Sequence, residues 1–181
     1  MAEAYRISDQ HAPYFITLTV IDWVDIFTRK EYKDIIVESL NYCIDNKGLC
    51  VYEYVIMSNH IHAIVSSAPP NSLSDTIRDL KKFTSKKILE AVQTINESRK
   101  EWLLNKFSFA GRRNLNNTNY QVWIQDYHAV ELRDKEMWQQ RTDYIHQNPV
   151  RTGIVERGED YIYSSASQYN NKANMVKLSE K

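Results

Sequence analysis

The chain has 181 residues, 43% of them apolar and 25% charged, and its 23 Lys plus Arg balance its 23 Asp plus Glu. This is the profile of one globular domain able to bury a sizeable core (residues 1–181, core about 14–169), and four Gly and four Pro exclude a collagenous or linker-like chain. A net charge of zero argues neither for nor against a nucleic-acid partner, so the distribution of charge along the chain matters more.

The N-terminal stretch MAEAYRISDQHAPYF is polar and lacks the apolar core of a signal peptide, and no apolar run reaches the length of a membrane span. Cys43 and Cys50 lack metal-ligand spacing and read as reduced thiols, so a cytoplasmic protein is expected. YFITLTVIDW (14–23) is rich in β-branched and aromatic residues and predicts a first strand. In the next segment Ile35, Ile36, Leu40 and Ile44 recur at helical spacing until Asn46-Lys47-Gly48. LCVYEYVIM (49–57) and HIHAIVSS (60–67) predict two strands joined by a Ser58-Asn59 turn. After APPNS a long helix follows, with Ser72 or Ser74 as N-cap and Ile77, Leu80, Thr84, Ile88, Ala91 and Ile95 as its buried stripe.

Residues 98–120 are less regular, and GRRNLNNTNYQ predicts a mobile Asn-rich loop. VWIQDYHAVEL predicts a strand or extended segment. RDKEMWQQRTDYIHQNPV predicts a helix stopped at Pro149, because the residue before a proline is pushed out of the α region. The polar tail from Asn170 to Lys181 is expected to fray. The order strand-helix-strand-strand-helix-strand is the ferredoxin-like split βαβ motif. It implies an α+β fold with an antiparallel sheet, helices packed on one face, and a further C-terminal helix.

The most telling stretch is YVIMSNHIHAIVSS. Strand side chains alternate, so His60 and His62 share a face, about 6.6 Å apart at Cα. Two imidazoles so placed can converge on one divalent ion, although a lone H-x-H is more often just a pair of histidines on a solvated sheet face. A third ligand and a reacting group are best sought on the later helix. There Tyr144 and Asn148 lie four apart on one face, beside a docking stripe marked by Trp138 and Ile145. Two neutral imidazoles and an amide oxygen suit Mg²⁺ or Mn²⁺. His146 is a rival, but it lies about 200° round the helix from Tyr144.

Between Arg78 and Arg113 ten basic residues stand against four acidic ones, a polyanion footprint or simply a solvated helix face. Arg78, Lys82 and Lys86 recur at i, i+4, i+8, with Lys81 beside them, and Arg112 and Arg113 fall at the start of the Asn-rich loop.

Together MSNHIHAIV, LSDTIRDLKKFTSKKI, VWIQDYHAVELRDKEMWQQRTDYIHQNPVRTGIV and DYIYSSASQY resemble the REP-associated tyrosine transposases, single-tyrosine members of the HUH (His-hydrophobic-His) superfamily of insertion sequences. The resemblance runs from about Tyr14 to Tyr169. It implies a nuclease and strand transferase acting on single-stranded DNA near hairpin or palindromic repeats. By the same resemblance His60 and His62 hold a divalent metal, Mg²⁺ or Mn²⁺, Tyr144 is the nucleophile, and Asn148 completes the metal site. The family often carries Gln at that last position, so the shorter Asn148 is a departure. The basic residues Arg78, Lys81, Lys82, Lys86, Arg112 and Arg113 are then expected to meet DNA phosphates. Such enzymes occur as dimers and as monomers. Two other readings use the same residues: a non-cutting hairpin-binding module, and a water-using metal hydrolase that adds Asp126 or Glu131 to the two histidines.

Overall fold

Alternating β-branched and aromatic residues form β1 (Tyr14–Thr19), buried on both faces near its start. The chain then crosses over through α1 (Lys30–Lys47). This helix ends at Gly48, whose φ of 63° is left-handed and whose missing Cβ avoids a 2.7 Å approach to the Asn71 side chain. β2 (Leu49–Ile56) and β3 (His60–Ser67) form the expected hairpin. α2 (Leu73–Thr94) is capped by Ser72, whose hydroxyl accepts from the Asp75 backbone N–H. β4 (His128–Glu131) and α4 (Lys135–Arg151) follow, and a short helix, Ala166–Tyr169, lies near the C-terminus. In this computed structural model the described residues are 6–114 and 119–180.

The sheet order is β2-β3-β1-β4, antiparallel throughout, as the split βαβ motif requires. The crossovers from β1 to β2 and from β3 to β4 carry α1 and α2, which pack against each other on one face, with Lys47 on α1 pairing with Asp79 on α2. Tyr14, Ile16, Leu18, Ile61, Ala63 and Val65 point to that face and are buried beneath them.

α1 and α2 pack on one face, as expected, and the further helix α4 crosses the opposite face, where its Tyr144 meets Phe15 and its Trp138 meets Tyr52. Three expectations need correction. Residues 98–120 contain a full helix, α3 (Lys100–Arg113), so Arg112 and Arg113 occupy its last turn rather than a loop. The Asn-rich loop predicted for 111–121 otherwise falls partly on residues 115–118, which lie outside the described residues. α4 continues through Pro149 to Arg151, because a proline there removes only one hydrogen bond near the helix end, and the Asn148 carbonyl still accepts from Thr152. Finally, the polar tail is tied down. The Met175 carbonyl accepts from Asn41, Lys177 pairs with Asp45, and the Ser179 N–H donates to the Val51 carbonyl.

One irregularity in β2 matters for the site face. A bulge between Val51 and Glu53 turns both Tyr52 and Glu53 towards α4. Glu53 is fully buried there, accepting from the Ser165 hydroxyl at 2.8 Å and the Tyr169 hydroxyl at 2.7 Å, with His146 Nε2 at 2.8 Å.

Candidate active site

The antiparallel register sets Thr17 opposite His62 and Thr19 opposite His60. Phe15, Thr17, His60, His62 and Ile64 therefore share the face under α4. The two imidazole rings are 4.6 Å apart between centroids. Each is fixed through Nδ1: His60 at 2.7 Å from Asn59 Oδ1, His62 at 2.9 Å from the Thr17 hydroxyl. Because an amide oxygen only accepts, His60 Nδ1 carries the proton and its Nε2 keeps a free lone pair. Among the described residues neither Nε2 is engaged. Asn59 is itself held, donating to the Trp23 carbonyl and to Asp25.

Burial lowers the pKa of both rings. For His62, 6% exposed, the desolvation, reinforced by the neighbouring His60, Arg141 and His128, brings it down to about 3. For His60 burial prevails over the opposing pull of Asp25. Both imidazoles are therefore neutral near pH 7, the form in which histidine ligates a metal.

α4 brings Tyr144 over this pair. Its ring lies 5.1 Å from that of His62 and meets Phe15 edge-on at 6.0 Å. Asn148, 7% exposed, lies one turn further along the same helix. His146 points away, into the Glu53 cluster, as its helical phase predicts.

Two cations escaped the sequence reading. The Arg151 guanidinium sits 5.4 Å over the Tyr144 ring, and that of Arg141 sits 4.8 Å over the Phe15 ring. Their spacing of −3 and +7 from Tyr144, the same helix face, is the signal that marks them. His128 was also passed over; it joins this face because β4 places it opposite Thr17.

The donor set fits a hard divalent ion: two neutral, oriented imidazoles with an amide one helical turn from the tyrosine. Among the described residues no three His, Cys, Asp or Glu side chains are grouped so as to hold a metal. The carboxylates considered for a water-using hydrolase lie elsewhere. Glu131 pairs opposite Tyr14, on the other sheet face, and Asp126 lies in the loop before β4, where its charge acts on Lys81.

The predicted DNA-binding cations fall in different settings. α2 lies against the sheet face remote from the histidines. On it Arg78 pairs with Asp75 and Asp79, and Lys86 approaches Glu90 at 4.0 Å. Lys82 is exposed and unpaired among the described residues. Lys81 donates to the carbonyls of Ile124 and Gln125, and burial lowers its pKa to about 8, so it anchors the loop before β4. Arg112 donates to Ser108, and Arg113 lies over the Phe109 ring. Among the described residues no helix is long and apolar enough to cross a membrane.

The fold matches that of a REP-associated tyrosine transposase solved bound to a REP hairpin, with a TM-score of 0.67 and 15% identity over 99% of this chain and 93% of that one. A candidate transposase from Deinococcus radiodurans R1 is a weaker match, with a TM-score of 0.46 and 14% identity over 74% of this chain and 87% of that one. No curated protein matches the sequence. The profile of the family described as "Transposase IS200 like" matches residues 11–148, and the chain belongs to that family.

Proposed function

We propose that the chain nicks and rejoins single-stranded DNA through a 5′-phosphotyrosine formed on Tyr144. The observation that carries this reading is the packing of the Tyr144 ring against His62, the inner member of an oriented, neutral histidine pair. His60 and His62 through Nε2, with Asn148, would hold Mg²⁺ or Mn²⁺. When bound, such an ion supplies Lewis-acid polarisation of the scissile phosphate and neutralises its developing charge.

The remaining chemistry belongs to the chain. An ordinary phenol titrates near pH 10 and is a weak nucleophile at neutral pH, so positioning and nearby positive charge must raise its reactivity. Phe15 and His62 fix the ring from below, and the Arg151 guanidinium lies over its face, holding it by cation–π attraction and bringing positive charge beside the site. As the Tyr144 O–P bond forms, the P–O3′ bond breaks, and the proton lost from the phenol is balanced by one gained at the 3′-oxygen. Attack by a 3′-hydroxyl on the phosphotyrosine reverses the balance and joins DNA, with no nucleotide cofactor.

The partner is single-stranded DNA next to a hairpin, a reading supported by the REP hairpin to which the structural neighbour is bound. Lys82 and Lys86 are the α2 cations best exposed for phosphate contact. Arg78, Arg112 and Arg113 can contribute where DNA displaces their present partners. One chain supplies the histidine pair and Tyr144 together, so a monomer can carry a complete site, and a dimer is not required for one cleavage. A cytosolic location on DNA follows from this activity.

The test is incubation of labelled hairpin oligonucleotides carrying single-stranded flanks with Mg²⁺ or Mn²⁺, followed by a denaturing protein gel. A labelled protein band that requires metal and disappears in Tyr144→Phe and His60→Ala supports the reading. Hairpin binding with no covalent band favours a non-cutting module. Cleavage that persists in Tyr144→Phe makes water the nucleophile.

A further inference from the structure

We infer that an aromatic and cationic stripe on α3, continued by Trp23, is a track that stacks a single strand of nucleic acid and leads it to His60. This rests on the reading of the chain as a single-strand DNA enzyme.

The first observation is on the helix. α3 buries Leu103, Phe107 and Gly111. At 100° per residue Trp102, Lys106, Phe109 and Arg113 fall within about 60° of one another on a separate flank. Trp102 is 48% exposed and Phe109 60%, an unusual cost for two large rings on one short helix. Arg113 lies 5.5 Å over the Phe109 ring. Rings alternating with cations over about 16 Å of helix suit bases that stack and phosphates that pair. A partner helix would instead need an uninterrupted apolar seam.

The second observation is in the segment after β1. Asp22 and Trp23 are consecutive non-glycine residues with φ of 52° and 53°, a left-handed conformation that disfavours side chains. The surrounding bonds hold them there: Trp23 N–H to Val20, Val20 N–H to Asn59, and Asn59 Nδ2 to the Trp23 carbonyl. The outcome is an indole 61% exposed whose ring nevertheless lies 6.0 Å from that of His60. Strain kept at such a place points to use of the side chain. The two parts are joined, because the Asp22 carboxylate receives Lys106 at 3.3 Å. That pairing neutralises the carboxylate on the path, and it sets the α3 stripe beside Trp23.

Fluorescence anisotropy with a labelled 12-nucleotide single strand tests the track on the full chain, independently of cleavage. Trp23→Ala and Phe109→Ala should each weaken binding about ten-fold, and the double variant about a hundred-fold. Trp23→Phe should recover most of the loss, and Tyr42→Ala, an exposed ring on α1, should change nothing. Arg113→Ala should lower the salt dependence by about one unit, and Lys106→Ala, which bares the Asp22 carboxylate on the path, should weaken binding. Binding within two-fold of wild type in the ring variants overturns the track. If wild type still forms the covalent band, the proposed function survives that result. Loss confined to duplex hairpin probes, or to association with another protein, likewise overturns it. Wild type that binds no single strand overturns track and function together.

Discussion

The His62 and Tyr144 rings share one support: Phe15 stacks on His62 at 5.3 Å and 21°, and meets Tyr144 edge-on at 6.0 Å. A β1 side chain thus sets the spacing between a β3 imidazole and an α4 phenol. Phe15→Leu keeps an apolar side chain but removes a buried ring, and should cost about 1–3 kcal/mol of stability. It should slow covalent band formation by about ten-fold, because both rings lose their common wall. Urea unfolding and single-turnover rates on one preparation separate the two effects. An unchanged rate would show that Phe15 is only core.

The proposed metal-binding role of the histidine pair depends on groups that would not touch the ion. Thr17 and Asn59 fix the two rings through Nδ1. Thr17→Val and Asn59→Ala should each reduce Mn²⁺ affinity about 10- to 100-fold while leaving both imidazoles in place. Calorimetric titration of Mn²⁺ into each variant checks this. Affinity equal to wild type would mean that the strand backbone alone orients the rings.

Glu53 ties α4 and the short C-terminal helix Ala166–Tyr169 to the sheet. With Glu53→Ala, the Ser165 and Tyr169 hydroxyls and His146 lose a buried charged partner, while His146 and the Ser165 hydroxyl keep each other at 3.1 Å. The loss should be about 3 kcal/mol, and it should show as a lower urea midpoint with little change in slope. Because His146 is two residues from Tyr144, covalent band formation should also fall in preparations that remain folded. Wild-type stability would show that the cluster is dispensable.

The parts of the site that repeat in sequence were legible. Alternation fixed the common face of His60 and His62, and helical spacing brought Tyr144 and Asn148 to one side of α4. The parts set by tertiary contact were not. α3 hid because Trp102 and Phe109, which face solvent, blur the apolar period that Leu103 and Phe107 would otherwise show. Pro149 read as a stop because local sterics cannot reveal that the helix is held by packing of Ile145 and Asn148 beneath it. Glu53 gave no warning of burial, since the groups that satisfy it, Ser165, Tyr169 and His146, lie far away in sequence. The polar tail looked free because its anchors, Asn41 and Val51, lie far away in sequence.

Glu97 gives the fold a predictable acid limit. Its carboxylate, 6% exposed, receives the Tyr32 hydroxyl at 3.0 Å, the Arg99 backbone N–H at 3.0 Å and side-chain Nε at 3.2 Å, and Arg29 at 3.3 Å. Burial alone would push the carboxyl up, but the Arg99 and Tyr32 bonds outweigh it and hold it below its ordinary value. A folded-state pKa below the unfolded one means that the unfolded chain binds the proton first. The stabilisation is therefore complete above about pH 4.3 and is lost as pH falls through the folded-state value. Glu97→Gln should cost about 2 kcal/mol at pH 7, because the two guanidinium groups and the phenol lose a charged acceptor. Urea midpoints of wild type and Glu97→Gln at pH 7 and pH 3 test the sign. The gap between them should narrow at the lower pH, because the stabilisation is lost as pH falls through the depressed folded-state value. A gap of equal size at both pH values would show that shape and packing, not charge, hold Tyr32, Arg29 and Arg99 around this position.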